Sequence, residues 1–169
     1  MRGLALFLVS LLLLSGGPIT TPPRMVSAVV LVFLNTECPV SQQYTHLLAH
    51  LHRQYRPQHV QFMALYPSPT DSRLVIGTFH RTYALPFAGL PDKGHMYVRR
   101  YQAKTTPEVV VLNEGGRVVY QGAIDDQYVA LGRRRSAPTQ SFLHDALAAI
   151  LDKRPILTAR TEAVGCLIE

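Results

Sequence analysis

The feature that most constrains the fold is a continuous apolar run, rich in β-branched residues, over positions 29–34. Such a run is typical of a strand that is buried on both faces of a parallel or mixed sheet. A short turn follows, and Pro39 suits the first turn of a helix. Beyond it, apolar residues recur at helical spacing until Pro57: Val40, Tyr44, Leu47, Leu48, Leu51 and Tyr55. The sequence therefore predicts a buried strand, a tight turn and an amphipathic helix.

The rest of the chain continues the alternation of strands and helices. We predict a strand over residues 60–65, a helix over 71–83, a hairpin of strands over 109–112 and 117–120, and a last helix over 142–151. In the second helix we expect Leu74, Val75 and Phe79 to face the core. Because strands joined by a helix run parallel with a right-handed crossover, this order indicates an α/β sheet.

The first 28 residues differ from the remainder. A positive start precedes an almost wholly apolar run over residues 3–14. This is the pattern of an export signal, and residues 26–28 have the small side chains of a cleavage site. As a helix, residues 3–17 would be roughly 22 Å long, shorter than the roughly 30 Å hydrocarbon core of a membrane. We expect an exported protein, either periplasmic or secreted. A signal that is not cleaved, and that tethers the chain, is the alternative.

The remaining residues are enough for one domain. We expect that domain over residues 29–152, followed by a C-terminal tail over residues 153–169 that carries Cys166. The formal net charge of +6 permits contact with an anionic membrane surface. The basic residues lack the spacing and aromatic interleaving of nucleic-acid recognition, so no nucleic-acid partner is expected. The two cysteines exclude a disulfide-dense scaffold and a four-cysteine zinc site.

Cys38 lies between the buried strand and the helix that starts at Pro39. Backbone N–H groups and the positive end of the helix dipole converge at such a position, and both favour the thiolate over the thiol. Since the thiolate is the nucleophile of disulfide exchange, Cys38 is the predicted reactive cysteine. Ser41 can donate a hydrogen bond to it, whereas the Glu37 carboxylate is expected to raise its pKa. The alternative is a small buried apolar residue without chemistry.

Four segments resemble one family in their order and spacing. Residues 33–41, FLNTECPVS, resemble the active-site segment of the exported thioredoxin-like redoxins, the group of TlpA-type disulfide reductases and peroxiredoxin relatives. Residues 105–109 resemble the loop in which this fold holds a cis-proline against the active cysteine. Residues 120–126 resemble the stretch that leaves the last strand, and residues 165–168 resemble a C-terminal ending found in one uncharacterised redoxin branch. The likeness covers about residues 29–168.

The resemblance implies a thioredoxin-like three-layer α/β fold, with a mixed central sheet and helices on both faces. It also implies a cis peptide bond between Thr106 and Pro107. In proteins of this fold the backbone before that proline pairs with an extended substrate segment, so Thr106 is implied as a docking position. The alternative is a trans proline that opens a strand.

The chain departs from the dithiol members of this family. Where they carry Cys-x-x-Cys, this sequence has CPVS at positions 38–41, so a mixed disulfide needs a resolving thiol from elsewhere. Cys166 is the one internal candidate, since the chain beyond residue 152 can extend roughly 46 Å. A redox pair and a structural disulfide both stay open. Peroxidase chemistry is disfavoured, because Asn35 stands where a peroxiredoxin has Thr or Ser.

The favoured hypothesis is an enzyme, a thiol–disulfide oxidoreductase in which Cys38 attacks a protein or small-molecule substrate. The electron donor is not identified by the sequence, and no cofactor is expected. Asp125 and Asp126 could transfer protons or serve as turn and capping residues. The alternatives are a non-catalytic redoxin-fold binding module and, less favoured, a peroxidase-like or metal-carrying protein. No metal site is predicted, since His46 and His50 lie i,i+4 on a helix without an evident third ligand.

Overall fold

The structure is a computed structural model that describes residues 26–169. The predicted export segment over residues 1–28 therefore lies almost wholly outside the described residues. Ala28, its last residue, is the first residue of a strand and is fully buried. In the described part of the chain, no helix is both long enough and apolar enough to cross a membrane.

Nine strands and four α-helices follow one another along residues 26–169, with two short 3-10 helices between them. They are β1 (Ala28–Phe33), α1 (Pro39–Tyr55), β2 (Val60–Tyr66), α2 (Arg73–Thr82), β3 (Ala88–Pro91), α3 (Met96–Tyr101), β4 (Thr105–Thr106), β5 (Glu108–Asn113), β6 (Val118–Gly122), β7 (Tyr128–Ala130), β8 (Arg133–Arg134), α4 (Phe142–Leu151) and β9 (Cys166–Leu167).

Five of these strands form the central sheet, in the order β3-β2-β1-β5-β6. Strand β1 runs parallel to β2 and antiparallel to β5, so the sheet is mixed. Strand β2 also pairs in parallel with β3, and β5 pairs antiparallel with β6. The centre of the sheet is β1, whose apolar residues are buried on both faces, as the unbroken apolar run predicts.

The two faces of the sheet are covered by different helices. On one face, alternate residues of β1 and β2 pack with buried residues of α1, α2 and α4. On the other, Leu31, Phe33 and Leu65 pack with α3 and with Ile168 near the C-terminus. Helices thus cover both faces of a mixed sheet, which confirms the predicted three-layer α/β fold. The carboxyl end of β1 and the first turn of α1 meet at one edge of these layers, where Cys38 lies.

The inward face of α2 differs from the prediction. Leu74 and Val75 are 78% and 40% exposed, whereas Ile76 and Phe79 are buried. The reason is the position of the helix start: Ser72 is the N-cap, and its side chain accepts a hydrogen bond from the Val75 N–H. Leu74 and Val75 therefore lie in the solvent-facing first turn, and the prediction for these two residues is wrong.

The C-terminal tail packs on the sheet along two stretches. At the first, the Gln121 N–H donates to the Ala159 carbonyl over 3.0 Å, and the Thr161 N–H donates to the Gln121 carbonyl over 3.1 Å. Gly122, at φ +140°, permits this approach, because a Cβ there would lie 2.2 Å from the Thr161 carbonyl oxygen. At the second stretch, β9 pairs antiparallel with β4. The tail thereby carries Cys166 to the edge where Cys38 lies.

Candidate active site

Cys38 is the N-cap residue of α1, and Pro39 follows it in the first turn. Its backbone N–H donates to the Asn35 carbonyl over 3.2 Å, and its carbonyl accepts from the Gln42 N–H over 3.0 Å. Cys38 is only 2% exposed, and its sulfur lies 3.1 Å from the Thr106 carbonyl oxygen, to which it donates when it is protonated. The predicted strand–turn–helix segment thus brings the cysteine to the helix start, and the surrounding elements cover it.

Hydrogen-bond donors around the sulfur favour its anionic form. Burial by itself raises the pKa of the Cys38 thiol, but the Cys166 side chain, the Ser41 and Cys166 backbone N–H groups and the Ser41 hydroxyl lower it. The net effect is a pKa below the ordinary value of 9.0. The expected upward effect of Glu37 is wrong: its side chain is exposed, and its charge instead raises the pKa of Asp71.

Cys166 lies directly beside Cys38 on the paired strand β9. Burial, followed by the hydrogen bond and the charge interaction with Cys38, raises the pKa of the Cys166 thiol to about 12. These opposite shifts favour ionisation of Cys38 before Cys166. Both cysteines are free thiols in this structure. The geometry brings together the predicted nucleophile, Ser41 and the predicted resolving thiol.

The predicted docking position is occupied by the chain itself. The Thr106–Pro107 peptide bond is cis, and Thr106 is 1% exposed. Thr106 pairs with Cys166, and Thr105 pairs with Leu167. The edge that the resemblance assigns to a substrate therefore carries the C-terminal strand of the same molecule.

Glu108 organises this edge and was not identified from the sequence. One of its carboxylate oxygens accepts from the Lys104 N–H over 2.8 Å and from the Thr105 N–H over 3.3 Å. The other accepts from the Gln121 side-chain amide over 2.7 Å. The buried carboxylate thus satisfies backbone donors of β4 and the residue before it. One signal in the sequence was available: Glu108 directly precedes the apolar run of β5. A carboxylate at such a position is seldom buried unless it has hydrogen-bond partners.

Asp71 is a second buried carboxylate that sequence reasoning missed. It is 2% exposed, and it accepts hydrogen bonds from the Thr36 hydroxyl and, over 3.4 Å, from the Thr36 N–H. Burial raises the pKa of Asp71 above its ordinary value. Because Thr36 is two residues before Cys38, Asp71 anchors the turn that presents the sulfur.

The two aspartates proposed for proton transfer lie in the loop after β6. The Tyr44 hydroxyl and the Gln127 N–H both donate to Asp125, which is buried. Asp126 accepts from the Thr139 hydroxyl over 2.5 Å and from the Gln140 N–H over 2.9 Å. Within residues 26–169, neither carboxylate is hydrogen-bonded to Cys38. Their contacts fit turn and capping roles, and proton transfer by them stays a prediction.

The predicted histidine pair is on the outer side of α1. His46 and His50 are both exposed. Among the described residues there is no group of three or more His, Cys, Asp or Glu side chains that could hold a metal ion.

A family model described as the AhpC/TSA family matches residues 16–121 of the chain. The structure is similar to that of an uncharacterised conserved protein from Geobacillus kaustophilus, with 26% identity, a TM-score of 0.76, and coverage of 86% of this chain and 78% of that one. It is also similar to a putative thiol:disulfide interchange protein DsbE from Chlorobium tepidum, with 20% identity, a TM-score of 0.59, and coverage of 76% and 82%.

A third similar structure is a secreted Mycobacterium tuberculosis disulfide oxidoreductase homologous to Escherichia coli DsbE. It is 18% identical, with a TM-score of 0.51 and coverage of 75% of this chain and 81% of that one. At these identities, the likeness to the two oxidoreductases shows the fold alone. No curated protein matches the chain. The match to the AhpC/TSA family, together with the shared fold, confirms the thioredoxin-like superfamily that the sequence segments resemble.

Proposed function

Because the chain belongs to the AhpC/TSA family, we propose that it is a thiol–disulfide oxidoreductase in which Cys38 is the nucleophile and Cys166 the resolving thiol. The observation that carries this proposal is the contact between two free cysteines of opposite pKa shift, one below its ordinary value and one at about 12. The anionic sulfur at a helix start is the better nucleophile, and the protonated partner is held beside it.

The reaction starts with the Cys38 thiolate and the Cys166 thiol. The thiolate attacks one sulfur of a substrate disulfide, a bond forms between the Cys38 sulfur and that atom, and the other substrate sulfur leaves as a thiolate. This leaving thiolate takes the proton of Cys166. The Cys166 thiolate then attacks the Cys38 sulfur and releases the second substrate thiolate. The substrate gains two electrons, and the chain retains a Cys38–Cys166 disulfide that an external dithiol reduces.

Other residues position these atoms. Ser41 stabilises the Cys38 thiolate through its hydroxyl and N–H groups. Thr106 and Pro107 provide the backbone edge for an extended protein substrate, as the family resemblance implies. Glu108 holds that edge in place through its hydrogen bonds to Lys104 and Thr105.

We place the activity outside the cytoplasm, in the periplasm or a secreted form. The leader pattern of residues 1–28 supports this placement. The Mycobacterium tuberculosis protein of similar fold, which is described as secreted, agrees with it. Protein thiols and disulfides of that compartment are the proposed substrates, and the electron donor is an external dithiol.

A non-catalytic binding module is the second candidate, and one observation favours it. The sulfur of Cys38 is almost completely covered, and β9 fills the docking edge. In a binding module the two cysteines would form a permanent bridge that holds the tail on the sheet. The distinction between the candidates is whether a substrate disulfide reaches Cys38.

Single-turnover mass spectrometry tests the proposed function. The reduced chain is mixed with a disulfide-linked pair of peptides, and the reaction is quenched in acid. We expect the wild type to release both peptides and to lose two hydrogens, whereas Cys166→Ser retains one peptide on Cys38. The matched variant Cys38→Ser should leave the peptide disulfide intact. A wild type that does not react, or a Cys38→Ser chain that reacts at the same rate, would contradict the proposal.

A further inference from the structure

The C-terminal residues 165–168 occupy the edge on which a substrate would dock. Cys166 pairs with Thr106, Leu167 pairs with Thr105, and the Ile168 N–H donates to the Lys104 carbonyl over 2.9 Å. The backbone groups of β4 that face β9 can pair with only one strand at a time. A substrate segment and residues 165–168 therefore exclude each other from this edge.

Gly165 makes this close packing possible. A Cβ at position 165 would lie 2.1 Å from the Thr106 carbonyl oxygen, 2.7 Å from the Thr106 carbonyl carbon and 3.1 Å from the Pro107 nitrogen. These are backbone atoms, which cannot move aside as the end of a side chain can. The φ angle of Gly165 is not in the left-handed region, so alanine can adopt this backbone conformation. An alanine at position 165 would therefore clash with the Thr106 backbone, but only while β9 is paired with β4.

The docked segment is short, and its neighbour along the chain is firmly attached. The ladder between β9 and β4 has two residue pairs, and Leu167 is 75% exposed. By contrast, the Thr161 hydroxyl lies 2.6 Å from the Tyr120 hydroxyl and accepts from the Ala123 N–H over 2.9 Å. Residues 162–164, between these two attachments, have no regular secondary structure. Segments with few hydrogen bonds and little buried apolar area open first in a folded protein.

A cavity beside β9 also changes when the segment leaves. Its volume is about 350 Å³, and it is lined by Asn35 and Glu37 in the turn before Cys38, by residues 67–70, by Thr106 and by the C-terminal residues 167–169. Removal of residues 165–168 takes away one wall of this cavity. The cavity then opens onto the edge of β4 that β9 leaves.

We propose that residues 165–168 are an intramolecular competitor of the substrate, which closes the site over Cys38 until an extended segment of a partner protein replaces it on β4. The covering of Cys38 by residues 165–168 does not depend on the proposed function. The identification of the replacing segment as a substrate does rest on it. In the reaction, the open state admits the substrate to Cys38. The return of β9 then brings Cys166 to the mixed disulfide and displaces the product segment from the same edge.

The test measures how readily Cys38 is alkylated by iodoacetamide in chains that carry Cys166→Ser. Rates are compared on the alkaline plateau of each pH profile, where Cys38 is fully ionised in every variant. We expect Gly165→Ala to increase the rate at least about tenfold, since the closed state no longer protects the sulfur. The matched control, Gly77→Ala, lies within α2, where the added Cβ meets only the end of the Arg81 side chain at 3.6 Å. It should leave the rate unchanged.

A second variant and a second measurement guard against a general loss of structure. Ile168→Pro removes the N–H that donates to Lys104 and should accelerate alkylation in the same way. Hydrogen exchange should show faster exchange of the amides of residues 166 and 168 in Gly165→Ala than in its Cys166→Ser parent, with the amides of β1 still protected. Equal alkylation rates in Gly165→Ala and its Cys166→Ser parent would overturn the proposal, as would loss of protection throughout the sheet.

The two proposals fail in different ways. If the wild type leaves a peptide disulfide intact but Gly165→Ala still exposes Cys38, the proposed function is refuted and the closing of the site stands. If the wild type reduces the peptide disulfide but Gly165→Ala does not accelerate the alkylation of Cys38, the proposed function stands and the role of residues 165–168 as a competitor is refuted.

Discussion

A disulfide between Cys38 and Cys166 should stabilise the folded chain by an amount that follows from the length of the loop that it closes. A bond between them closes a loop of about 130 residues. In the chain-entropy model, such a loop removes enough freedom from the unfolded chain to contribute about 5 kcal/mol. Because the two side chains are already in contact, little rearrangement of the folded state should offset this gain. For a two-electron couple the same free energy lowers the reduction potential by about 100 mV relative to the unfolded chain.

Guanidinium unfolding of the oxidised and reduced wild type measures this difference. The chain with both Cys38→Ser and Cys166→Ser is the control, and oxidant should not change its stability. Mass spectrometry first establishes that the oxidised monomer has lost two hydrogens. Equal stability of the two redox forms would refute the reasoning, because it would mean that the bond distorts the folded state by as much as it restricts the unfolded one. An oxidised product that is a disulfide-linked dimer would also refute it.

Two carboxylates give further predictions with opposite dependence on pH. Asp71→Ala should lower the free energy of unfolding by about 1–3 kcal/mol, because the Thr36 hydroxyl and N–H lose their acceptor. Asp71→Asn should be at least as stable as the wild type at neutral pH, since burial raises the pKa of Asp71 and disfavours its charge; only the wild type should gain stability as the pH falls through that pKa. Urea unfolding of both variants checks this, and an Asn variant as unstable as the Ala variant would contradict it. Hydrogen bonds from Thr139 and Gln140 hold the pKa of Asp126 at about 2, below its ordinary 3.8, so its stabilisation of the loop is present above about pH 4 and is lost as the pH falls through 2. Amide chemical shifts of Thr139 and Gln140 should follow that titration in the wild type and not in Asp126→Asn.

The elements that could be predicted are those with an uninterrupted local pattern. The apolar run of residues 29–34 places β1 within one residue, and the periodic segment before Asp152 gives α4 with its observed bounds. The inward face of α2 could not be assigned in this way, because its apolar residues surround the helix and the start at Ser72 decides which of them face the core. The hydrogen bond that the Ser72 side chain accepts from the Val75 N–H therefore decides what hydrophobic periodicity leaves ambiguous.

For the site, local sequence predicts the position of Cys38 and its contact with Ser41. The remaining contacts join segments far apart in the chain. The sequence shows that the tail is long enough to bring Cys166 to Cys38, but not that the two meet. No local pattern indicates that the strand of Cys166 pairs with Thr106. The same limit explains the missed roles of Asp71 and Glu108, whose partners become neighbours only when the sheet forms. The effect of Glu37 was misjudged because proximity in sequence does not give the direction of a side chain.

The proposed reaction depends on ionisation of Cys38 before Cys166, with the proton of the cysteine pair on Cys166. The ultraviolet absorbance of the thiolate, followed as a function of pH, tests this directly and does not depend on access of a reagent to the buried sulfur. We expect one ionisation below pH 9.0 and a second near pH 12 in the reduced wild type. The first ionisation should vanish in Cys38→Ser and persist in Cys166→Ser. A first ionisation that survives Cys38→Ser, or that lies above pH 9.0 in the wild type, would show that Cys38 is not the thiolate of the pair.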